Sequence, residues 1–324
     1  MNRPLEPSGP LAAAVQAPWH RFLEEVEPLR PELYRYCRYL TRSPWDAEDL
    51  AQDTLARAFV TLGCLGQEIV SPRAWLLRVA SNLWLNQQRR PREVPTELPD
   101  AASAGAEPRA AREAAGTLIG RLSPQERAAV VLKDVFDLSL EETAEALSTT
   151  VGAVKAALHR GRGKLVEPAP EEASAPSPAV LDAFAAAFNA RDLDRLTALL
   201  LDTAVVEFPG LHVGYGAEHA RKTSLAGVLF GDPAGDCGGI APPLRRGLLS
   251  TAPRVEVRAH RGEAVLLAWF AHEDGEAVRG ISRVEVEGDR ISRLRTYLHQ
   301  PEVLAEICAE LGVPFRTCGY RPWW

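Results

Sequence analysis

No run of this 324-residue chain approaches the roughly 18 consecutive apolar residues a membrane-spanning helix needs. The opening stretch MNRPLEPSGPLAAAVQAP lacks the uninterrupted apolar segment of a secretory signal. A soluble, cytoplasmic protein with no membrane association is expected. Cysteine is sparse and unpatterned: Cys37, Cys64, Cys237, Cys308 and Cys318 are odd in number and form no CxxC pair, so neither a disulfide framework nor a zinc site is indicated. No internal repeat is visible. Large apolar residues are nearly missing from 93–115, EVPTELPDAASAGAEPRAAREAA, and from 167–177, EPAPEEASAPS. Segments of that kind bury too little surface to offset their ordering entropy, so both read as flexible linkers.

Acids are absent from one place above all. The chain has formal net charge -6, yet residues 149–165 hold Lys155, His159, Arg160, Arg162 and Lys164 and no carboxylate. A duplex repels any acid set against it, so a face cleared of acids suits nucleic acid. The bland alternative is a solvated helix whose cations complement its C-terminal dipole.

What is there divides into three blocks between the linkers. In the first, 19–92, Phe22, Val26, Leu29, Leu33, Tyr36 and Leu40 step by three and four and share a helical face. Ser43-Pro44 and Ser71-Pro72 each offer a capping hydroxyl followed by proline at the first helical position. In the second, 116–166, SPQE at 123–126 and SLEE at 139–142 both match the capping box. The first of those helices is expected to bury Ala128, Val131, Leu132 and Val135, and the second Leu140, Ala144 and Leu147. After the turn Ser148-Thr149-Thr150, a third helix buries Val151, Val154 and Leu158 and carries Lys155, His159 and Arg162 on its other side. Two helices joined by a short turn, the second basic outside, describe a helix-turn-helix.

Two further stripes lie in the first block. Asp46, Asp49 and Asp53 fall on one helical face, which suits either a dipole complement or a basic protein partner; Asp53 lies two turns in, beyond the reach of the dipole. From 72 to 92 there is again no acid, and Trp75, Arg78, Asn82 and Arg89 lie close to one stripe. Arginines with an indole suit nucleic acid whose bases are unstacked. The competing reading makes both tryptophans core residues, and for Trp84, between Leu83 and Leu85, core is expected.

The third block, 178–311, opens with an apolar helix carrying Leu181, Phe184 and Phe188. RVEVRAH, AVLLAWF, VRGISRVEVEG and RISRLRTYL follow with period two and a Gly288-Asp289 turn, which predicts antiparallel strands. PEVLAEICAELG returns to helix, giving an α+β domain, and 312–324 forms a tail ending in Trp323-Trp324.

DAEDLAQDTLARAF, then SPRAWLLRVASNLWLNQQRR, then LSPQERAAVVLKDVFDLSLEETAEALSTTVGAVKAALHRGRGKL resemble regions 2 and 4 of the extracytoplasmic-function (ECF) group of bacterial RNA polymerase sigma factors. The resemblance implies two all-α sigma domains, a region 2 bundle at 19–92 and a region 4 helix-turn-helix at 116–166. It implies partners too: core RNA polymerase, met at the β′ clamp helices and the β flap, and promoter DNA. Asp46, Glu48, Asp49, Gln52 and Asp53 match the stretch that docks on the clamp helices. Arg73, Trp75, Arg78, Asn82 and Arg89, with the loop 63–71, match the segment that melts and reads the minus-ten element. Thr149, Thr150, Lys155, His159, Arg160 and Arg162 match the helix that reads the minus-thirty-five element. The linker 93–115 is implied to run through the polymerase.

FAAAFNARDLDRLTALLLDTAVVEF, the strands and GDRISRLRTYL resemble SnoaL-like domains of the nuclear-transport-factor-2-like superfamily, a cone of curved sheet closed by helices. In related sigma factors such a domain resembles a built-in regulator; where they carry DGGG-type and NPDKL-type segments, this chain has Asp236-Cys237-Gly238-Gly239 and Gln300-Pro301-Glu302-Val303-Leu304. His212, Tyr215, Trp269, Tyr297 and His299 are the candidate lining of a cone pocket for a small-molecule ligand, or else core and rim packing. The resulting expectation is a sigma factor, not an enzyme, with no cofactor or metal and with its activity modulated in cis. The alternatives are a helix-turn-helix regulator acting without polymerase, and a sigma factor fused to a catalytically active SnoaL-like domain.

Overall fold

A computed structural model describes residues 10–65, 69–89, 122–164, 179–210, 212–222, 224–225, 253–317 and 319–320. Both linkers, the Asp236–Gly239 segment and the terminal tryptophans lie outside them. The described residues divide into two compact units, one holding both helical blocks and the other the third block.

In the helical unit, α1 (Pro10–Val26), a 3-10 turn (Glu27–Leu29), α2 (Arg30–Thr41), α3 (Pro44–Leu65) and α4 (Pro72–Arg89) come first. The two Ser-Pro starts act as caps: Ser43 Oγ accepts from the Asp46 amide at 3.3 Å and Ser71 Oγ from the Ala74 amide at 3.4 Å. Leu33, Tyr36, Cys37 and Leu40 of α2 are buried with Leu50 and Leu55 of α3 and Leu76, Leu77 and Trp84 of α4. Removing such side chains from water is the main stabilising contribution, roughly 1.5–3 kcal/mol each. The Tyr36 hydroxyl, 2.6 Å from Ser81 Oγ, satisfies the one polar atom it brings inside.

The second block supplies α5 (Pro124–Val130), a π turn (Val131–Val135), α6 (Leu140–Ala146) and α7 (Val151–Lys164). Both capping boxes form in full, with Ser123 and Glu126, and Ser139 and Glu142, bonded reciprocally to each other's amides. One expected burial fails. Val135 is 41% exposed while Phe136 is 4% exposed. The Phe136 amide bonds the Val131 carbonyl, five residues back; this wider turn carries an extra residue and shifts the inward stripe from 135 to 136. Leu122, Ala129, Val130, Ala144, Val154, Ala157 and Leu158 form the helix-turn-helix core, with Leu140, Leu147 and Val151 half-buried against it.

The second unit begins with α8 (Ala179–Asn189) and α9 (Leu193–Ala198). A six-stranded sheet follows: β1 (Leu200–Phe208), β2 (His212–Tyr215), β3 (Arg254–His260), β4 (Glu263–His272), β5 (Gly275–Glu287) and β6 (Arg290–Tyr297), in spatial order β2-β1-β6-β5-β4-β3. A short helix α10 (Ala217–Ala220) follows β2, and α11 (Pro301–Leu311) follows β6. β3 to β6 are antiparallel neighbours, and Gly288 with φ +64 serves the predicted turn, since Glu287 pairs with Arg290. β1 and β2 were not legible as strands, and β1 runs parallel to β6, so the sheet is mixed.

Side-chain alternation separates the two faces of this sheet. Val206, Val255, Leu266 and Leu294 join Phe184, Phe188 and Leu196 of α8 and α9 in one apolar cluster. His260 points to the opposite face and meets Glu310 of α11 at 2.6 Å, so α11 covers that face.

Candidate nucleic-acid interface

The acid-free face belongs to α7. Lys155 and His159 are exposed on it, as are Thr149 and Thr150 in the turn before. Thr150 has a second task, since its Oγ1 accepts from the Ala153 amide at 3.2 Å and caps α7. Arg160 and Arg162 are exposed but engaged: Arg160 Nε lies 3.1 Å from Glu126 Oε1, and Arg162 makes a two-point contact with Asp134. That contact raises the Arg162 pKa and fastens the end of α7 to the π turn. Lys155 and His159 stand outward, away from the buried Val154 and Leu158.

On α4, Arg73, Trp75, Arg78 and Asn82 are partly exposed and Arg89 is exposed. The Glu32 carboxylate accepts from Arg73 Nε and Nη2 at 2.6–2.9 Å, raising the guanidinium pKa. Arg73 Nη2 also donates to the Phe136 carbonyl at 3.2 Å. Arg78 Nη1 is 2.9 Å from Glu145 Oε1, and Ser148 Oγ donates to Asn82 Oδ1 at 3.4 Å. Trp84 is core, 2% exposed, with the Arg127 guanidinium 5.4 Å above its ring. Arg127 also donates to the Leu40 carbonyl at 2.6 Å; burial, aided by nearby Arg42, lowers its pKa to about 10. Charge patterning singled out neither Arg127 nor Phe136, because their partners lie far away in the chain.

The acidic stripe on α3 needs one correction. Asp46 and Asp53 are exposed and Asp49 partly so, but Glu48 is fully buried, paired with Arg30 and accepting from Gln52 Nε2 at 2.9 Å. An inward carboxylate in an ion pair offers nothing to a partner protein; it anchors α3 to α2. Of the loop 63–71, residues 66–68 lie outside the described part.

In the second unit the candidate pocket residues do not converge. Tyr215 is 72% exposed and pairs with Val205 across β1, on the face opposite the α8–α9 cluster. Tyr297 pairs with Ile281, and Ile281 with Leu267, again on that opposite face, and the alternation of β4 puts Trp269 there too. His299 is buried beyond β6; burial lowers its pKa to about 4 and keeps it neutral, with a Gly319 backbone hydrogen bond pulling the other way. The side chain of His212 lies outside the described part. Phe184, Phe188, Leu196 and Leu266 pack together under α8 and α9 instead. Gln300 is likewise structural, donating to the Pro209 carbonyl and accepting from the His299 amide.

Among the described residues no helix is long and apolar enough to cross a membrane. Residues 26–93 match the family model for sigma-70 region 2, and residues 112–165 match that for sigma-70, region 4. The ECF RNA polymerase sigma factor SigG of Mycobacterium tuberculosis is 35% identical over 244 residues, 63% of this chain and 65% of that protein. The chain therefore spans just under two thirds of that relative's length. The RNA polymerase sigma-E factor of Streptomyces avermitilis is 36% identical over 151 residues, 45% of this chain and 83% of the relative. The crystal structure of the Mycobacterium tuberculosis extracytoplasmic function sigma factor SigJ covers 87% of this chain and 98% of its own, at 24% identity and TM-score 0.33. With a region 2 bundle and a region 4 helix-turn-helix in that order, and with the ECF RNA polymerase sigma factor SigW of Bacillus subtilis 30% identical over 86% of its length, the chain belongs to the ECF group of RNA polymerase sigma factors.

Proposed function

We propose that this chain recruits core RNA polymerase to promoters and starts transcription there, and that its third block modulates that activity in cis. One unit carries two surfaces of opposite charge: exposed Asp46, Asp49 and Asp53 on α3, and the acid-free face of α7 with Lys155 and His159. That opposition carries the proposal. A duplex excludes the first surface and attracts the second, so the acidic one is left for a basic protein, here the clamp helices of the polymerase. Arg73, Trp75, Arg78, Asn82 and Arg89 are assigned to the minus-ten strand, and Thr149, Thr150, Lys155, His159, Arg160 and Arg162 to the minus-thirty-five duplex. Of the latter, Lys155 and His159 do most of the contacting and Arg162 in part holds the helix.

The third block serves as a regulator rather than an enzyme. Three of its candidate pocket residues, Tyr215, Trp269 and Tyr297, are on the face opposite the apolar cluster and so do not line one cavity with it, which supports this reading. Run-off transcription with purified core polymerase tests both parts. Asp49→Lys with Asp53→Lys abolishes polymerase binding if the sigma assignment is right, and leaves DNA binding intact if the protein is a regulator acting alone. Removal of the residues after about 170 changes promoter-dependent output; unchanged output defeats the regulatory assignment.

A further inference from the structure

Strand β6 stops short of its neighbour. Its last partner on β5 is Ile281, paired with Tyr297, while β5 extends back to Gly275. On that side the stretch of β5 before Ile281 is met by the chain's own tail. The Val278 amide donates to the Pro314 carbonyl and the Arg316 amide donates to the Val278 carbonyl, both at 2.9 Å, with Phe315 set beside Val278 in parallel pairing. The local sequence produces this course. Gly312, with φ +67, ends α11, and the Val313 amide returns to the Cys308 carbonyl. Pro314 then favours an extended Val313 and has no donor of its own to leave unpaired. Two side-chain contacts fasten the strap: Arg316 Nη2 lies 2.5 Å from both Asp274 carboxylate oxygens, and the Tyr320 hydroxyl donates to Glu302.

The edge is firmer than the strap that covers it. Val278 is fully buried, whereas residues 314–317 are exposed, Phe315 by 37%. The Arg316 and Asp274 side chains are 48% and 71% exposed, so salt screens their attraction. The strap takes little part in the burial that holds this unit together, and segments of that kind open before the fold does. An opened strap leaves the Val278 amide and carbonyl without partners on a buried strand, a cost that any extended chain pairing there removes.

We propose that this edge of β5 is a peptide-binding site, occupied in the free protein by residues 313–317 and open to an extended segment of a partner protein with the same chemistry, an aromatic residue followed by a basic one. Backbone pairing with Val278 supplies affinity and the Asp274 carboxylate selects the basic residue, as in strand addition at a sheet edge. The tail sets the threshold, because a tethered competitor acts at an effective concentration on the order of millimolar. The site stands on the second unit alone and does not depend on the sigma function.

Fluorescence anisotropy of a labelled synthetic peptide, residues 312–320 with Cys318→Ser, tests the site in the full-length protein. Arg316→Glu loosens the resident tail and leaves the edge intact, so the peptide should bind this variant at least fivefold tighter than wild type. Asp274→Lys should reverse the preference, favouring a peptide that carries Arg316→Glu over the original one. Equal affinity of wild type and Arg316→Glu, or no reversal in Asp274→Lys, overturns the site. A second measurement uses the wild type and is independent of how the variants fold. The Arg316 amide should exchange with solvent at least tenfold faster than the amides of β4, the strand between β3 and β5. Exchange of both at one rate means that the tail leaves only when the whole unit unfolds, and it too overturns the proposal.

Discussion

Arg30 of α2 and Glu48 of α3 form an ion pair inside the first helical bundle, with Glu48 wholly screened from solvent. Cys37, buried close by, has its thiol pKa raised by burial and by the Glu48 charge. Removing one member of such a pair strands the other in a medium of low dielectric, whereas exposed acids nearby can be changed at little cost. Glu48→Ala should therefore destabilise the helical unit by about 3–5 kcal/mol, and Asp53→Ala by less than about 0.5 kcal/mol. Chemical denaturation separates the two, and polymerase pull-down should rank them the other way: Asp53→Lys abolishes binding in folded protein. A folded, stable Glu48→Ala variant defective only in polymerase binding contradicts the anchoring role.

Salt-dependent binding tells phosphate contacts from structural arginines. Lys155→Ala should weaken binding of the polymerase complex to upstream duplex and lower the slope of log affinity against log salt by about 1. Arg162→Ala loses its Asp134 partner as well, so its effect should include a drop in thermal stability that Lys155→Ala does not show. Equal melting temperatures for the two variants speak against a fastening role for Arg162.

Two glycines on α7 should respond oppositely to alanine. A Cβ at Gly161 meets Val130 Cγ2 at 2.9 Å and Glu126 Cβ at 3.5 Å, on the side where α7 crosses α5. At Gly152 the nearest atom is Thr150 Oγ1 at 3.9 Å. Gly152→Ala should stabilise by up to about 1 kcal/mol through helix propensity. In Gly161→Ala that gain is overcome by an overpacking cost of about 1–3 kcal/mol. Thermal melts of the two variants settle the order.

The β-containing unit should be sensitive to mild acid. His299 is held neutral, its pKa lowered by burial from 6.5 to about 4, so its contribution is complete above pH 6.5 and is lost as pH falls towards 4. Over that interval the unfolded chain takes up a proton that the folded one refuses, a linkage of about 3 kcal/mol. Glu310 acts lower. Burial alone would raise its carboxyl, but hydrogen bonds from His260 and Arg261 prevail and hold it at about 2; its contribution is lost between about 4.5 and 2. Unfolding followed from pH 7 to pH 3 should show the first loss above pH 4, and His299→Gln should remove that part alone. An unchanged profile in His299→Gln refutes the assignment.

Local chemistry was readable from the chain alone because its causes are local. Ser123 with Glu126 and Ser139 with Glu142 lie three residues apart and cap their own helices. Leu33, Tyr36 and Leu40 keep one face by periodicity, Gly288-Asp289 makes its turn, and the acid-free run at 149–165 follows from composition. Tertiary structure decided which charges are spent within the fold. Glu48 stands between Asp46 and Asp49 in the same acidic run, and only an arginine 18 residues earlier turns it into a core anchor. Arg78 and Glu145 are 67 residues apart, and nothing in either neighbourhood marks them as a pair. The π turn that swaps Val135 for Phe136, the parallel pairing of β1 with β6, and the face on which Tyr215, Trp269 and Tyr297 fall are likewise settled by contacts distant in the chain. Periodicity places a side chain on its own element, but burial and charge pairing depend on what packs against that element, and that is a property of the whole fold.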